Sequence, residues 1–146
     1  MPSVGSGSPK AQFHAIGDQR LELAVQTELG HVLRRSGRID EAEAEYRQTV
    51  RGWQRSGNRG AVANQLESFA YVAMARGNDL RAARLLEAAE ALREVAEAAM
   101  SGFEREEYDS AVGRLRQELN RGSRGSAWAE GGGMTVDAAV AFALSP

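Results

Sequence analysis

Apolar residues recur along this chain at the three-to-four-residue spacing of helices, and no stretch alternates convincingly with period two. Leu21, Val25, Leu29 and Leu33 stand at i, i+4, i+8 and i+12, and Val32 widens the stripe. A first helix is therefore predicted from near Asp18 to Ser36-Gly37, where glycine takes the left-handed cap conformation at little cost. A second begins at Ile39-Asp40, carries Ile39, Ala42, Tyr46, Val50 and Trp53, and is broken by Ser56-Gly57-Asn58-Arg59-Gly60. The third carries Val62, Leu66, Phe69, Ala70 and Ala73 and stops at Gly77. Asn78 or Asp79 caps the fourth, which holds the longest apolar run: Leu80, Ala82, Leu85, Leu86, Ala89, Leu92 and Ala96. A fifth carries Tyr108, Val112, Leu115 and Leu119. A turn around Trp128 and the glycines at 131–133 lead to a last helix capped by Thr135, with Val136, Ala139, Val140 and Ala143 inward. The predicted fold class is all-α.

Two segments match at a spacing of forty residues. Leu29-Gly30-x-Val32-Leu33, Gly37 and Ala42-x3-Tyr46 are followed by Phe69-Ala70-x-Val72-Ala73, Gly77 and Ala82-x3-Leu86. A repeat of this length predicts stacked helical hairpins. Small residues such as Gly30 and Ala42, or Ala70 and Ala82, are expected to meet and let two helix backbones approach, while Leu29, Leu33 and Tyr46 interlock around them.

The spacing Leu29-Gly30-x2-Leu33 … Ala42-x3-Tyr46 resembles the tetratricopeptide (TPR) pattern. It departs from that pattern at the tryptophan slot, which is Gln26 and Leu66, in lacking the closing proline, and in its period of forty rather than thirty-four. No third copy aligns from 109 onward, where Asp109 falls at the position of Leu29 and Phe69. The resemblance implies a short right-handed solenoid: a flexible leader at 1–15, two hairpins at 16–100 and a divergent helical cap at 101–146. Residues 75–94, Glu107-Tyr108, Trp128-Ala129-Glu130-Gly131 and Thr135 to Val140 are also similar, in the same order, to the C-terminal end of large bacterial signalling ATPases of LuxR type and related cyclase- or kinase-linked (STAND) regulators. In that family the segment is a TPR-like sensor or scaffold beside a nucleotide-binding switch domain. Nothing in this chain resembles the switch domain or the DNA-binding helix-turn-helix. The implied role is a cytoplasmic regulatory module that binds a protein or peptide, or the switch domain of a parent chain.

Composition narrows the chemistry. The 146 residues suit one domain, with no cysteine and a net charge of −2. A cysteine-free chain fits a reducing compartment and excludes a thiol nucleophile. A chain without basic excess is a poor non-specific nucleic-acid binder. Arg114, Arg116, Arg121 and Arg124 leave a nucleic-acid role open, and the same arginines suit the negative end of the fifth helix. No stretch approaches the roughly 20 apolar residues of a membrane span. The Gly/Ser/Pro-rich start, Met1 to Lys10, lacks the apolar core of a secretory signal and reads as a leader, a linker from a longer parent or an expression remnant.

In a TPR stack the first helix of each hairpin lines the concave face. Counting from the packing positions, Thr27, His31, Arg34 and Arg35 of the first hairpin and Asn64, Glu67, Tyr71 and Met74 of the second are expected to face that groove. His31, Arg34 and Arg35 share one helical stripe that suits a carboxylate or acidic peptide, arginine giving a forked contact, or else stands as a solvated polar face. Tyr71 suits either a binding anchor or packing against the neighbouring hairpin. Trp53 and Trp128 read as core or cap residues. Glu104, Glu106, Glu107 and Asp109 sit where a helix dipole favours acids, which explains them without a metal. His14 and His31 lack a zinc spacing, and the glycines at 131–133 are not followed by Lys-Ser/Thr, so no phosphate loop is present. Gly122-Ser123-Arg124-Gly125 matches a nucleotide-clamping GxxG by letter only, because that clamp needs a sheet. No catalytic, metal or cofactor residue is assigned. The expected function is a non-catalytic interaction module; the alternative is a sensor that takes a small effector between hairpins and cap.

Overall fold

A computed structural model describes residues 9–120 and 134–146. Among the described residues there are six helices and no strand: α1 (Pro9–Arg35), α2 (Ile39–Ser56), α3 (Arg59–Ala75), α4 (Asp79–Ala96), α5 (Gly102–Asn120) and α6 (Val136–Leu144). The expected turn at Trp128, the glycines at 122–125 and 131–133, and Arg121 and Arg124 lie outside them, as do the first eight residues of the expected leader.

The helix ends follow a cadence of twenty residues. Gly37, Gly57, Gly77 and Glu97 have φ of 82°, 74°, 77° and 53°, and each follows a helix. At each, the same pair of backbone bonds closes the helix. Gly57 N–H reaches Gln54 O and Asn58 N–H reaches Trp53 O; the same pairing joins residues 37 and 38 to 34 and 33, 77 and 78 to 74 and 73, and 97 and 98 to 94 and 93. This is the Schellman closure, which satisfies carbonyls left open at a helix end. The forty-residue repeat is thus built from two equal helix-and-turn halves.

The next starts are capped as their residue types allow. The Asn58 side chain accepts from Ala61 N–H, Asn78 from Arg81 N–H and Thr135 from Ala138 N–H. Ser101 and Glu104 exchange side chain-to-backbone bonds in a capping box at the start of α5. Helix α1 begins at Pro9, nine residues before the expected Asp18, so part of the expected leader is helical. Proline suits a first helical position because its missing N–H has no partner to lose there.

Helices α1 and α2 pack antiparallel through two notches. A side chain on Gly30 would meet the Tyr46 ring at 2.7 Å, and one on Gly52 would collide with Leu23. Gly30 therefore receives Tyr46, while Ala42 is fully buried nearby in sequence. Helix α3 packs on α2 and α4, α5 lies against α4, and α6 rests on α2, α3 and α4. The core runs through Tyr46, Val50, Leu66, Leu85, Leu86 and Leu115, with Ala139, Val140 and Ala143 closing it. Arg81 donates to the carbonyls of Phe142, Ala143 and Ser145, and Arg47 to that of Leu144, tying down the end of α6.

The apolar stripe expected to seat α1 does not do so. Leu21, Val25, Leu29 and Val32 are 65, 62, 46 and 57% exposed, whereas Thr27, Gly30, His31 and Leu33 are buried. Of the expected stripe only Leu33 lies inward; the rest of the inward face of α1 is set largely by Gly30, Thr27 and His31, which an apolar periodicity does not register.

Glu97 holds a left-handed conformation that glycine adopts without strain. Glu97→Gly is expected to stabilise the fold by about 0.5–1 kcal/mol, once the greater freedom of an unfolded glycine is subtracted. Urea denaturation checks this; an unchanged or lower midpoint contradicts it.

Candidate functional site

Positions 27, 31 and 34 of α1 and 64, 67 and 71 of α3 fall on one face of each helix. Thr27, His31, Arg34, Arg35, Asn64, Glu67 and Tyr71 line one cleft of about 190 Å³, with Ser101, just before α5, and Phe103, Glu104 and Glu107 of α5 on its far side. Seven of the eight expected groove residues are brought together. Met74 lies in the adjoining hollow with Ile39, Tyr71 and Ala111, beyond Arg34.

Most of these side chains do not point freely into solvent. Thr27, His31 and Glu67 are 9, 6 and 2% exposed. Thr27 Oγ1 accepts from the Trp53 indole at 3.0 Å and from Gln65 Nε2 at 3.3 Å, and Thr49 donates to Gln65 Oε1 at 2.7 Å. Trp53 is thus a buried residue whose polar atom is satisfied across α1.

A second chain of bonds runs through His31. Its Nδ1 lies 2.8 Å from the Tyr46 hydroxyl and its Nε2 lies 3.1 Å from Asn64 Oδ1. Arg34 Nε donates to the same hydroxyl at 3.2 Å. With Asn64 as an acceptor, the consistent assignment is a neutral imidazole protonated on Nε2, with the Tyr46 O–H donating to Nδ1. Burial, then the charges of Arg34 and Arg35, hold the His31 pKa below its ordinary 6.5, against the opposing effects of Glu28 and Asn64.

Two carboxylates close the cleft. Arg34 grips Glu107 with two bonds of 2.9 and 3.1 Å, and Arg35 adds a longer one at 3.4 Å. Arg34 also lies 4.7 Å from the centre of the Tyr71 ring, and Arg35 4.5 Å from that of Phe103. Across the cleft, Arg93 of α4 grips Glu67 at 2.7 and 2.8 Å and reaches Glu104 at 3.5 Å. Burial pushes the Glu67 carboxyl up despite Arg93. Glu107 feels the same upward push, but the arginine forks outweigh it and hold the group below its ordinary value. Burial, then Glu67 and Glu107, push the Tyr71 hydroxyl up.

The acids of α5 are therefore spread over separate contacts. Glu104 serves the capping box and Arg93, Glu107 serves Arg34 and Arg35, and Asp109 faces Arg105 at 3.8 Å. No group of three His, Cys, Asp or Glu side chains stands close enough for a metal among the described residues. The acids Glu104 and Glu107 stood out in the sequence, but Phe103 did not, and the seats of all three opposite Arg34, Arg35 and Arg93 were not legible because those partners come from other helices. Arg114 lines the hollow with Met74.

A concavity of about 630 Å³ lies between α1 and α2. Among the described residues Leu23 is the large apolar side chain on its wall. No helix of the described residues is long and apolar enough to cross a membrane. In comparisons with protein-family models, curated proteins and solved structures, nothing matches the chain.

Breaking a buried ion pair at one end leaves the other charge uncompensated. Arg93→Ala is expected to cost about 3–5 kcal/mol, and Glu67→Gln/Arg93→Met distinctly less. Equal losses in chemical denaturation would show that Arg93 acts through packing alone.

His31 gives a pH signature. The unfolded imidazole takes up its proton near 6.5 and the folded one only at lower pH, so protonation favours the unfolded chain as pH falls through that window. The stability advantage of wild type over His31→Gln is expected to be full above the unfolded value of about 6.5 and to narrow as pH falls below it. A constant difference between the two proteins would contradict the neutral assignment.

Proposed function

We propose that this chain is a non-catalytic helical-repeat interaction module, TPR-like in its hairpins and in a short right-handed solenoid, that binds an acidic segment of a protein or peptide partner. The observation that carries the reading is the pair of arginines on α1 holding a carboxylate at the mouth of the α1–α3 cleft. Arg34 and Arg35 meet Glu107 there, beside the half-exposed Arg35–Phe103 stack. Forked arginine contacts favour planar carboxylates. The segment Phe103-Glu104-x2-Glu107 is thus an internal example of the chemistry the cleft accepts: an aromatic next to acids at helical spacing.

The forty-residue repeat and the antiparallel α1–α2 pair support the helical-repeat reading. The resemblance of residues 75–94 and 135–140 to bacterial signalling ATPases supports a place in signalling or transcriptional regulation, in the cytoplasm, with a parent's switch domain among the eligible partners. An effector-sensing role for a small molecule has less behind it. Such ligands sit in mostly apolar pockets of roughly 300–1,000 Å³; the polar cleft is smaller, and the α1–α2 concavity is lined mainly by polar and charged residues such as Gln19, Arg20, Glu22 and Arg55.

Arg34 is too deeply tied to Glu107 and Tyr46 to be altered cleanly, with its side chain 8% exposed. Arg35 is the better probe. A labelled peptide with the sequence of residues 101–110 is expected to bind the Glu107→Ala chain saturably by fluorescence anisotropy. Adding Arg35→Glu is expected to weaken it by roughly tenfold, the equivalent of one lost charged contact. No saturable binding, or binding indifferent to Arg35→Glu, would overturn the reading.

A further inference from the structure

The exposed stripe on α1 has buried counterparts elsewhere in the same chain. Forty residues on, Val25, Leu29 and Val32 correspond to Gln65, Phe69 and Val72 of α3, which are 0, 3 and 2% exposed. Gln65 is bonded to Thr49 of α2, and Phe69 stands 5.9 Å from the Tyr46 ring of α2. The repeat thus seats a helix over this face in α3 and leaves it uncovered in α1. Of the six exposed large apolar side chains among the described residues, four lie on this one stripe.

The opposite end of the repeat is already sealed. On α4 the counterparts of Val50 and Trp53 are Glu90 and Arg93. Glu90 receives the Tyr108 hydroxyl of α5, and Arg93 reaches Glu104 of α5. A head-to-tail contact between two copies would have to displace α5. Two copies joined through their open ends need displace nothing, and such a contact is isologous and closes on itself.

We propose that the chain forms a two-fold dimer through α1, the two helices packing antiparallel. In an antiparallel pair the residue numbers facing each other sum to a constant. A sum of 53 to 54 sets Leu21 against Val32 of the second copy and Val25 against Leu29. The same register brings the acidic Asp18 alongside the basic Arg35, which also meets Glu107 of its own chain. The contact is one helix wide on each copy, and its dimer is accordingly weak and concentration-dependent.

Sedimentation velocity over a dilution series tests this. The wild-type chain is expected to pass from monomer to dimer with rising concentration. Val25→Glu is expected to raise the dimer dissociation constant at least tenfold with an unchanged helical circular-dichroism spectrum, because Val25 is 62% exposed. Val95→Glu, which alters an equally exposed valine on α4, is expected to dimerise as wild type does. Asp18→Arg is expected to weaken the dimer several-fold by facing Arg35 with a like charge. A wild-type chain that stays monomeric up to about 1 mM overturns the proposal, as does a dimer indifferent to Val25→Glu. A dimer lost with Val25→Glu but unaffected by Asp18→Arg overturns the antiparallel register.

Discussion

Tyr46 is the point at which three helices are fixed to one another. Its side chain is fully buried, its ring fills the space left by the missing side chain of Gly30, and its edge faces Phe69 of α3. Its hydroxyl takes one hydrogen bond from Arg34 and meets His31 on the other side. A ring of this size contributes burial that no smaller residue supplies, but only if the hydroxyl is satisfied. The polar residues of α1 follow from that requirement. His31 and Arg34 lie inward because Tyr46 needs partners, and they in turn bring in Asn64 and Glu107.

The resulting interior carries two ion pairs, Arg34–Glu107 and Arg93–Glu67, that are wholly or partly buried. Buried ion pairs seldom add net stability over well-packed apolar groups, since the cost of removing charges from water is so large. Here Glu67 and Glu107 are each held by a two-pronged arginine contact, the geometry that best offsets that cost. The two differ in depth. Glu67 sits at the base, where burial dominates and its acidity falls; Glu107 sits nearer the mouth, where the arginines dominate and its acidity rises. What the pairs add is location. Glu107 can satisfy Arg34 only if α5 crosses at this height, and Arg93 joins α3, α4 and the start of α5 in the same way.

Much of this was legible from local chemistry. The turns at Gly37, Gly57 and Gly77, the cap at Thr135 and the inward faces of α2 and α4 follow from residue types acting over one helical turn, and the structure has them. The convergence of α1 and α3 positions was readable from the forty-residue offset. Two matters were not. The outward turn of Leu21, Val25 and Leu29 went unseen because periodicity gives the angle of a stripe and not what lies beside it. The closure of the cleft by α5 depends on pairs such as Arg34–Glu107, separated by 73 residues, and nothing local marks one carboxylate as the partner of one guanidinium.

The even cadence of left-handed closures constrains how such a chain can grow. Each closure turns the backbone around, so inserting one twenty-residue half would invert the direction of every later helix and strand the Arg81 tether of α6 on the wrong side. Inserting forty residues restores the original sense of travel and presents the next helix with the surface it already fits. Length variation in descendants of this sequence should therefore come in whole hairpins, with single-helix gains or losses purged as soon as they arise.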